Sequence, residues 1–224
     1  MAKLIQTALV VAATLATAGV AQAQSAGAII VRGGLTQIKP DVKSGNLTTP
    51  SFTGTQADIE SATALTGGIT YMVTDQISLD LPLAAGFKHE IVGAGAIEGV
   101  GKIGEVKALP ATLLAQYRFG TAKSGVRPYV GLGATYAKFY KAKGTAALTA
   151  LTGGSPSNPT TLEVESKFAL TAQVGVSHQL AARWSLDAAV LKTALKTRTT
   201  LSTGQTLDAT LNPWSFTVGV GYQF

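Results

Sequence analysis

The sequence contains no cysteine, which excludes a disulfide scaffold and any cysteine-ligated metal site. Charged residues are also scarce: they make up 13% of the chain, about half of the usual share. After the N-terminal segment no run of about 18 apolar residues occurs, so we expect no transmembrane helix. Lys and Arg form no block with interleaved aromatic residues, so we expect no nucleic-acid partner.

Residues 1–23 have the composition of a secretory signal peptide. Lys3 provides a positive start, an Ala-, Val- and Leu-rich segment follows, and Ala21 and Ala23 form a small-x-small cleavage site. An anchor helix is the alternative, but the apolar segment is short and ends in this cleavage pattern. We therefore predict a signal peptide at 1–23 and one domain at 24–224. Without Lys3 the chain keeps a modest positive charge, which suits anionic lipid headgroups or lipopolysaccharide.

The C-terminal segment shows the pattern that organises the chain. Successive side chains of a strand point to opposite faces, and one parity here is apolar and largely aromatic while the other is small and polar. The apolar parity consists of Trp214, Phe216, Val218, Val220, Tyr222 and Phe224. Similar alternation begins near residues 29, 65, 77, 109, 130, 168 and 184, which predicts eight strands. The parity slips near Asn212-Pro213, where we expect a bulge or the edge of a bilayer.

The opposite parity carries most of the charged and amide side chains of the strands. We expect them to face one another across a lumen, where opposite charges pair. They are Arg32, Asp80, Gln116, Arg118, Gln173, Asp187 and Gln223.

Connections and aromatic residues favour a membrane barrel. Predicted long loops (40–58, 90–101, 141–161 and 199–205) alternate with short turns, as in outer-membrane barrels. Aromatic residues beside the short turns suit an interfacial girdle; they are Tyr71, Tyr117, Phe119, Trp184, Tyr222 and Phe224. We predict an all-β, eight-stranded antiparallel up-and-down transmembrane β-barrel in the cell outer membrane, in contact with membrane lipid. A soluble lipocalin-like barrel or sandwich is the alternative, but the polar parity has too little Lys and Glu for a soluble surface.

Two prolines predict a weak place in the barrel wall. Eight strands leave a bore that side chains nearly fill, so a general aqueous pore is not expected. Pro82 and Pro110 have inward parity on consecutive strands, and proline cannot donate to a ladder. Our hypothesis is a sideways exit for an apolar ligand; a simple bend of the wall is the alternative.

Further inward-facing residues would line the path of such a ligand. Met72, Ala84 and Leu114 are predicted to border it inside the barrel. Tyr129 and Phe139 lie near the two ends of the fifth strand, where they either hold an apolar ligand or simply fill the bore.

Several motifs together resemble the OmpW family of Gram-negative outer-membrane proteins. They are Thr70-Tyr71-Met72-Val73-Thr74-Asp75, Gly86-Phe87-Lys88-His89-Glu90, Leu109-Pro110-Ala111-Thr112, Arg127-Pro128-Tyr129-Val130-Gly131-Leu132-Gly133, Asn212-Pro213-Trp214 and Gly221-Tyr222-Gln223-Phe224. The resemblance implies an eight-stranded barrel with a narrow, mainly hydrophobic interior that moves small hydrophobic molecules inward, with exit through the wall. It also leads us to place Phe168 in the lining and to expect the terminal Phe224 to contact the outer-membrane assembly machinery.

The chain departs from the family pattern at two positions. Ala111 stands where the family usually has a second proline, and Phe168 stands where some members have a tryptophan. Both departures concern the lining of the lumen and not the fold.

Catalysis finds little support in the sequence. The two histidines, His89 and His178, lie near predicted loops or turns, and we expect His89 to be solvated. No catalytic triad or metal-ligand cluster is evident, so we expect no enzyme activity, metal or cofactor. A structural or adhesion barrel that acts through its extracellular loops is the main alternative function. A lipid-modifying barrel enzyme is a further one.

Overall fold

The structure, a computed structural model, describes residues 24–224, and the predicted signal peptide lies outside the described residues. This part of the chain forms fourteen strands and one short helix. The strands are β1 (Ile29–Lys39), β2 (Lys43–Ser44), β3 (Thr55–Ile59), β4 (Ala62–Met72), β5 (Ile77–Ala84), β6 (Phe87–Gly95), β7 (Lys102–Arg118), β8 (Val126–Gly144), β9 (Leu162–Val164), β10 (Lys167–Gln179), β11 (Trp184–Ala194), β12 (Lys196–Leu201), β13 (Thr206–Thr210) and β14 (Trp214–Gln223). Helix α1 is Ala146–Leu151. Within the described residues no helix is long and apolar enough to cross a membrane.

Eight of these strands close into an antiparallel barrel. Around the wall they follow the order β1, β4, β5, β7, β8, β10, β11 and β14, and β14 returns to pair with β1. The closing ladder runs from Ile30 opposite Gln223 to Lys39 opposite Trp214. The predicted fold class is confirmed.

The barrel turns its apolar side chains outward. Leu65 is 76% exposed and Leu170 is 69% exposed, although both belong to the apolar parity of their strands. Thr70 and Gln116, of the polar parity, are buried inside. A soluble protein would show the opposite arrangement, so the outer face is suited to lipid.

Aromatic side chains surround the end of the barrel where the turns are short. There the ring centroids of Tyr117 and Phe119 are 5.1 Å apart, and Tyr222 lies 4.9 Å from Trp184 and 4.8 Å from Phe224. Each pair has an edge-to-face geometry, which aromatic rings favour. This end of the wall therefore carries an aromatic girdle of the kind that lies at a membrane interface.

Beyond the opposite end of the barrel the chain forms a folded cap, which was not predicted from the sequence. The cap comprises β2, β3, β9, β12, β13, α1 and the outer parts of β6, β7 and β8. It has its own apolar core of Ile97, Ile103, Leu148, Leu162 and Leu201.

Several predicted loops are therefore wrong in part. Loop 90–101 includes the end of β6, loop 141–161 includes the end of β8 and helix α1, loop 40–58 includes β2 and most of β3, and loop 199–205 includes the end of β12. Glycines and polar residues hide the alternation there, and pairing with a neighbouring strand supplies the order. Helix α1 is capped by Thr145, whose hydroxyl accepts a hydrogen bond from Leu148 N at 3.3 Å.

The parity slip before the last strand is confirmed. Strand β13 ends at Thr210 and β14 begins at Trp214, and Asn212 between them has a φ of 31°. Its side-chain oxygen accepts a hydrogen bond from Leu195 N at 3.0 Å. Asparagine tolerates this backbone region better than most residues, so it fits the irregular step.

An ion-pair network stands on the outer face where β6 and β7 leave the barrel. The carboxylate of Glu105 lies 2.9 Å from Lys88 Nζ and 2.9 Å from Lys102 Nζ, and Lys102 also reaches Glu90 at 2.8 Å. Hydrogen bonds from Lys102 and Lys88 lower the pKa of Glu105 from 4.5 to about 2. Because the folded state favours the ionised carboxylate, the network is complete above pH 4.5 and is lost as the pH falls towards 2.

We therefore expect the side-chain carboxyl signal of Glu105 to titrate with a midpoint near 2 when the protein is followed by NMR in micelles. Lys102→Met removes the largest contribution and should move the midpoint towards 4.5. A wild-type midpoint at 4.5 would show that the network does not form.

A close approach of two strands gives a stability prediction. A Cβ atom on Gly133 of β8 would lie 1.9 Å from the carbonyl oxygen of Leu113 on β7. Gly133→Ala should therefore lower the free energy of unfolding by about 1–3 kcal/mol, as overpacking usually does. Gly33→Ala is the matched control, because no atom lies within 4 Å of its added Cβ. Urea unfolding followed by tryptophan fluorescence measures both, and equal midpoints for the two variants would contradict the argument.

Candidate functional site

The half of the lumen nearest the cap holds an apolar cavity. Its volume is about 140 Å³. Inward-facing residues of many strands contribute to the lining, among them Ile38, Phe87, Val106, Ala137, Phe139, Leu191, Leu195 and Leu211. A small apolar molecule is the kind of ligand that such a lining can hold.

Threonine side chains surround the middle of the lumen. Their hydroxyls are 2.6–2.9 Å apart and bond to one another, so each polar group is satisfied within the wall. They form two chains, Thr66–Thr36–Thr217 and Thr112–Thr135–Thr171–Thr193. The belt borders the apolar cavity without adding an unsatisfied polar group to it.

Below the belt lies a floor of buried charged residues. Arg32 of β1 pairs with Asp80 of β5 and lies 3.3 Å from Asp187 of β11. Thr70 donates to Asp80 at 2.6 Å, and Tyr129 donates to Asp187 at 2.9 Å. The predicted pairing of opposite charges across the lumen is confirmed, and it ties together strands from opposite sides of the barrel.

Two arginines and the first described residue complete the floor. Arg118 donates to Ser78 at 3.1 Å, to Gln116 at 2.8 Å and to Gln24 at 3.2 Å. Arg127 donates to the carbonyl oxygen of Gln24 at 2.9 Å, and Gln24 is only 4% exposed. These side chains fill the short-turn half of the bore, which leaves the apolar cavity closed below.

The wall beside the cavity has an interruption between β5 and β7. Their ladder runs only from Ile77 opposite Tyr117 to Asp80 opposite Leu114. Pairing with β7 resumes in β6, where Phe87 lies opposite Ala108. Between these points residues 81–86 and 109–113 have no ladder pairs with each other, although 81–84 pair with β4 and 109–113 pair with β8.

Both prolines singled out in the sequence lie in this interruption. Pro82 and Pro110 also border the cavity, together with Leu83, whose side chain belongs to the exposed outer face. Because proline has no N–H group, neither residue can donate a bond that would close the gap. The cavity therefore borders the wall where hydrogen bonding between neighbouring strands is interrupted.

The structure separates the other predicted lining residues into three groups. Ala84 and Phe139 border the cavity. Met72 and Leu114 are fully buried inside but do not border it, and Leu114 packs against Tyr129. Tyr129 belongs to the charged floor through its bond to Asp187.

Two predictions about individual residues are wrong. Phe168 does not line the lumen: it is 78% exposed on the outer face of β10, and its ring lies 4.7 Å from that of Tyr136. Phe168 has the same parity as Leu170, which is on the outer face. The alternation of the strand therefore predicted its position correctly, and the family resemblance did not. His89 is not solvated: it is buried at the top of the cavity, with Nδ1 2.8 Å from the carbonyl oxygen of Glu60. The unrecognised extension of β6 explains this error.

The roles of Gln24, Arg127 and the threonines were not predicted from the sequence. The inward parity of the threonines was readable, but their mutual hydrogen bonds depend on the stagger between strands. Residues 24–224 contain no group of three or more His, Asp or Glu side chains placed to hold a metal ion.

Fold and site together define an eight-stranded outer-membrane β-barrel with an apolar lumen that is closed below. The sequence profile of the OmpW family matches residues 25–224, and the chain belongs to the OmpW family. It is 33% identical to outer membrane protein W of Vibrio cholerae over 220 residues, which covers 96% of this chain and 97% of that protein. It is 31% identical to outer membrane protein W of Escherichia coli K12 over the full length of both chains.

A solved structure supports the same assignment. The crystal structure of the outer membrane protein OprG from Pseudomonas aeruginosa superposes with a TM-score of 0.80 at 28% identity, and the match covers 91% of this chain and 99% of that one. The chain is therefore a protein of the cell outer membrane, with its wall in the lipid bilayer. The short-turn end faces the periplasm and the cap faces the outside, as in other barrels of this class.

The charged floor generates a stability prediction. Arg32→Met keeps most of the side-chain volume but leaves Asp80 and Asp187 without their nearest cation. Breaking a buried ion pair in this way should lower the free energy of unfolding by about 3–5 kcal/mol. Arg183→Met is the control, since Arg183 is exposed and its guanidinium donates to the hydroxyl of Tyr222 at 3.3 Å. Unfolding in urea compares the two, and equal losses would mean that the floor does not depend on Arg32.

Proposed function

We propose that this protein is a channel for small hydrophobic molecules, which enter its lumen from the cap and leave sideways through the interruption between β5 and β7. The observation that carries the proposal is the position of the apolar cavity, which is closed at its periplasmic end by buried charges and is bordered by Pro82 and Pro110, where the ladder between β5 and β7 is interrupted. An apolar ligand in this cavity cannot move favourably towards the short-turn end of the lumen, because it would have to displace paired charged groups there.

The interruption suits an exit into lipid. Backbone groups in the hydrocarbon region normally bond within the protein, so a gap in the ladder is tolerated only where it lines a cavity. Leu81 and Leu83 are exposed on the outer face at this point, and they offer an apolar surface on the lipid side. An apolar molecule that leaves the lumen here therefore meets leucine side chains on the lipid side.

The cap supports access from outside. A second apolar cavity of about 60 Å³ lies in the cap, between helix α1 and the outer parts of β6 and β7. Ala57 and Ile91 line it, and Ile59 and His89, two residues further along the same strands, border the lower cavity. The two cavities are stacked, and together they mark an apolar path from the cap to the interruption.

The remaining functional assignments belong to the same proposal. The protein takes no part in catalysis: His89 bonds to a backbone carbonyl and borders an apolar cavity, which is a packing role. Lipopolysaccharide is a partner of the outer wall, and the terminal Phe224, which is exposed beside Tyr222, contacts the assembly machinery. Bilayer lipid itself is in contact with the wall.

The proline pair provides the test of the sideways exit. Pro82→Val with Pro110→Val restores two N–H donors and should lengthen the β5–β7 ladder. We expect cells that express this variant to take up a hydrophobic dye from the medium several-fold more slowly than cells with the wild-type protein. Hydrogen exchange of the amides at 109–113 should slow in parallel. Pro128→Val, on the exposed face of β8, is the matched control and should leave uptake unchanged.

The outcomes separate the competing functions. Unchanged uptake in a folded double variant with protected amides would remove the sideways exit. Uptake no faster than in cells without the protein would remove the transport function and favour a structural or adhesion barrel that acts through its cap.

A further inference from the structure

A group of lysines lies on the outer wall directly above the interruption. Lys88 of β6 stands opposite Lys107 of β7, and Lys138 of β8 stands opposite Leu109. All three share the outward parity of their strands. Residues opposite each other on neighbouring antiparallel strands have Cβ atoms about 5 Å apart, and diagonal neighbours are about 7–8 Å apart. The three ammonium groups are therefore within reach of one anion.

Two of these three lysines, Lys107 and Lys138, have no acidic partner within residues 24–224. Lys88 is paired with Glu105, but among residues 24–224 no carboxylate lies within 4 Å of Lys107 or Lys138. Glu105 is itself shared between Lys88 and Lys102. Like charges placed directly opposite in a ladder destabilise it, so this position favours a bound anion.

A tyrosine adds a hydrogen-bond donor at the same place. A Cβ atom on Gly86 would lie 2.5 Å from the hydroxyl oxygen of Tyr140, so the phenol lies over the break between β5 and β6. Lys107 is opposite Tyr140 in the ladder. Gly86 has a φ of 99°, and the missing side chain leaves room for the phenol.

The lysines lie at the depth where lipid headgroups are found. Phe168, which is 78% exposed, and the half-buried Tyr136 form a ring pair just below Lys138 on the outer face. Exposed aromatic residues of barrels mark the interface between hydrocarbon and headgroups. Basic groups directly above such an interface meet the phosphates of the outer leaflet.

We propose that Lys88, Lys107, Lys138 and Tyr140 bind a phosphate of lipopolysaccharide, and that the acyl chains of this lipid lie across the interruption between β5 and β7. This site is a specific location for the lipopolysaccharide contact proposed above, and it rests on that proposed contact. The exposed leucines Leu81 and Leu83 lie below the phosphate position and contact the chains. The bound lipid covers the sideways exit, and a departing ligand has to pass beside it.

The test is the affinity of the purified protein, in neutral detergent, for lipid A that carries both phosphates, measured by native mass spectrometry. Lys107→Gln with Lys138→Gln should weaken binding about 30-fold, since each lysine near an anionic lipid contributes about fivefold. Tyr140→Phe should weaken it several-fold. Lys39→Gln with Lys196→Gln is the matched control, because both lysines are exposed and neither lies on β6, β7 or β8: Lys39 is on β1 of the barrel and Lys196 is on β12 of the cap.

The result that overturns the site is an equal loss for the two lysine pairs, or equal affinity for lipid A stripped of its phosphates. Folding of every variant is checked by its heat-dependent shift on a gel, so a weak binder that is unfolded is recognised. Dye uptake is measured separately: loss of lipid A binding with wild-type uptake removes the site alone, and absence of uptake with intact binding removes the transport proposal alone.

Discussion

Every backbone donor and acceptor in the hydrocarbon of a membrane has to find its partner within the protein, and this constraint shapes the whole wall. The chain satisfies it by closing eight strands through the β1–β14 ladder. The same constraint makes the break between β5 and β7 informative. A gap of several residues in a lipid-facing ladder is unusual, and here it coincides with two prolines and with the edge of an apolar cavity.

The two halves of the lumen differ in their chemistry. Above the threonine belt its surface is apolar, and below the belt Arg32 holds two carboxylates from different strands. The upper half of the bore contains the cavity. The lower half is filled by a network of ion pairs and hydrogen bonds that links β1, β5, β8 and β11 and stabilises the barrel.

Much of this arrangement was predictable because strand parity is a strong local signal. It placed Phe216 and Leu170 on the outer face and Asp80 and Asp187 inside, and it located the irregular step at Asn212. The family resemblance predicted that the lumen is mainly hydrophobic. It also placed Phe168 in the lining, although the parity of its strand predicted the outer face, where the residue lies.

The cap could not be read in the same way. Its own strands are short and rich in polar residues, and the outer parts of β6, β7 and β8 contain glycines. Their order comes from partners that are distant in sequence, such as β12 against β9. The burial of His89 follows from this extension. The side chains that pack against Leu114 and Tyr129 depend on the register between strands. The pattern within one strand does not predict that register.

The ladder between β1 and β14 joins the two ends of the described chain, and this has a consequence for assembly. Until the last strand is in place, both margins of the sheet carry unsatisfied amides and carbonyls, and no shorter product has a perimeter that lipid can surround. The wall is therefore compatible with lipid all the way round only when β14 pairs with β1, and this ladder is the seam of the barrel.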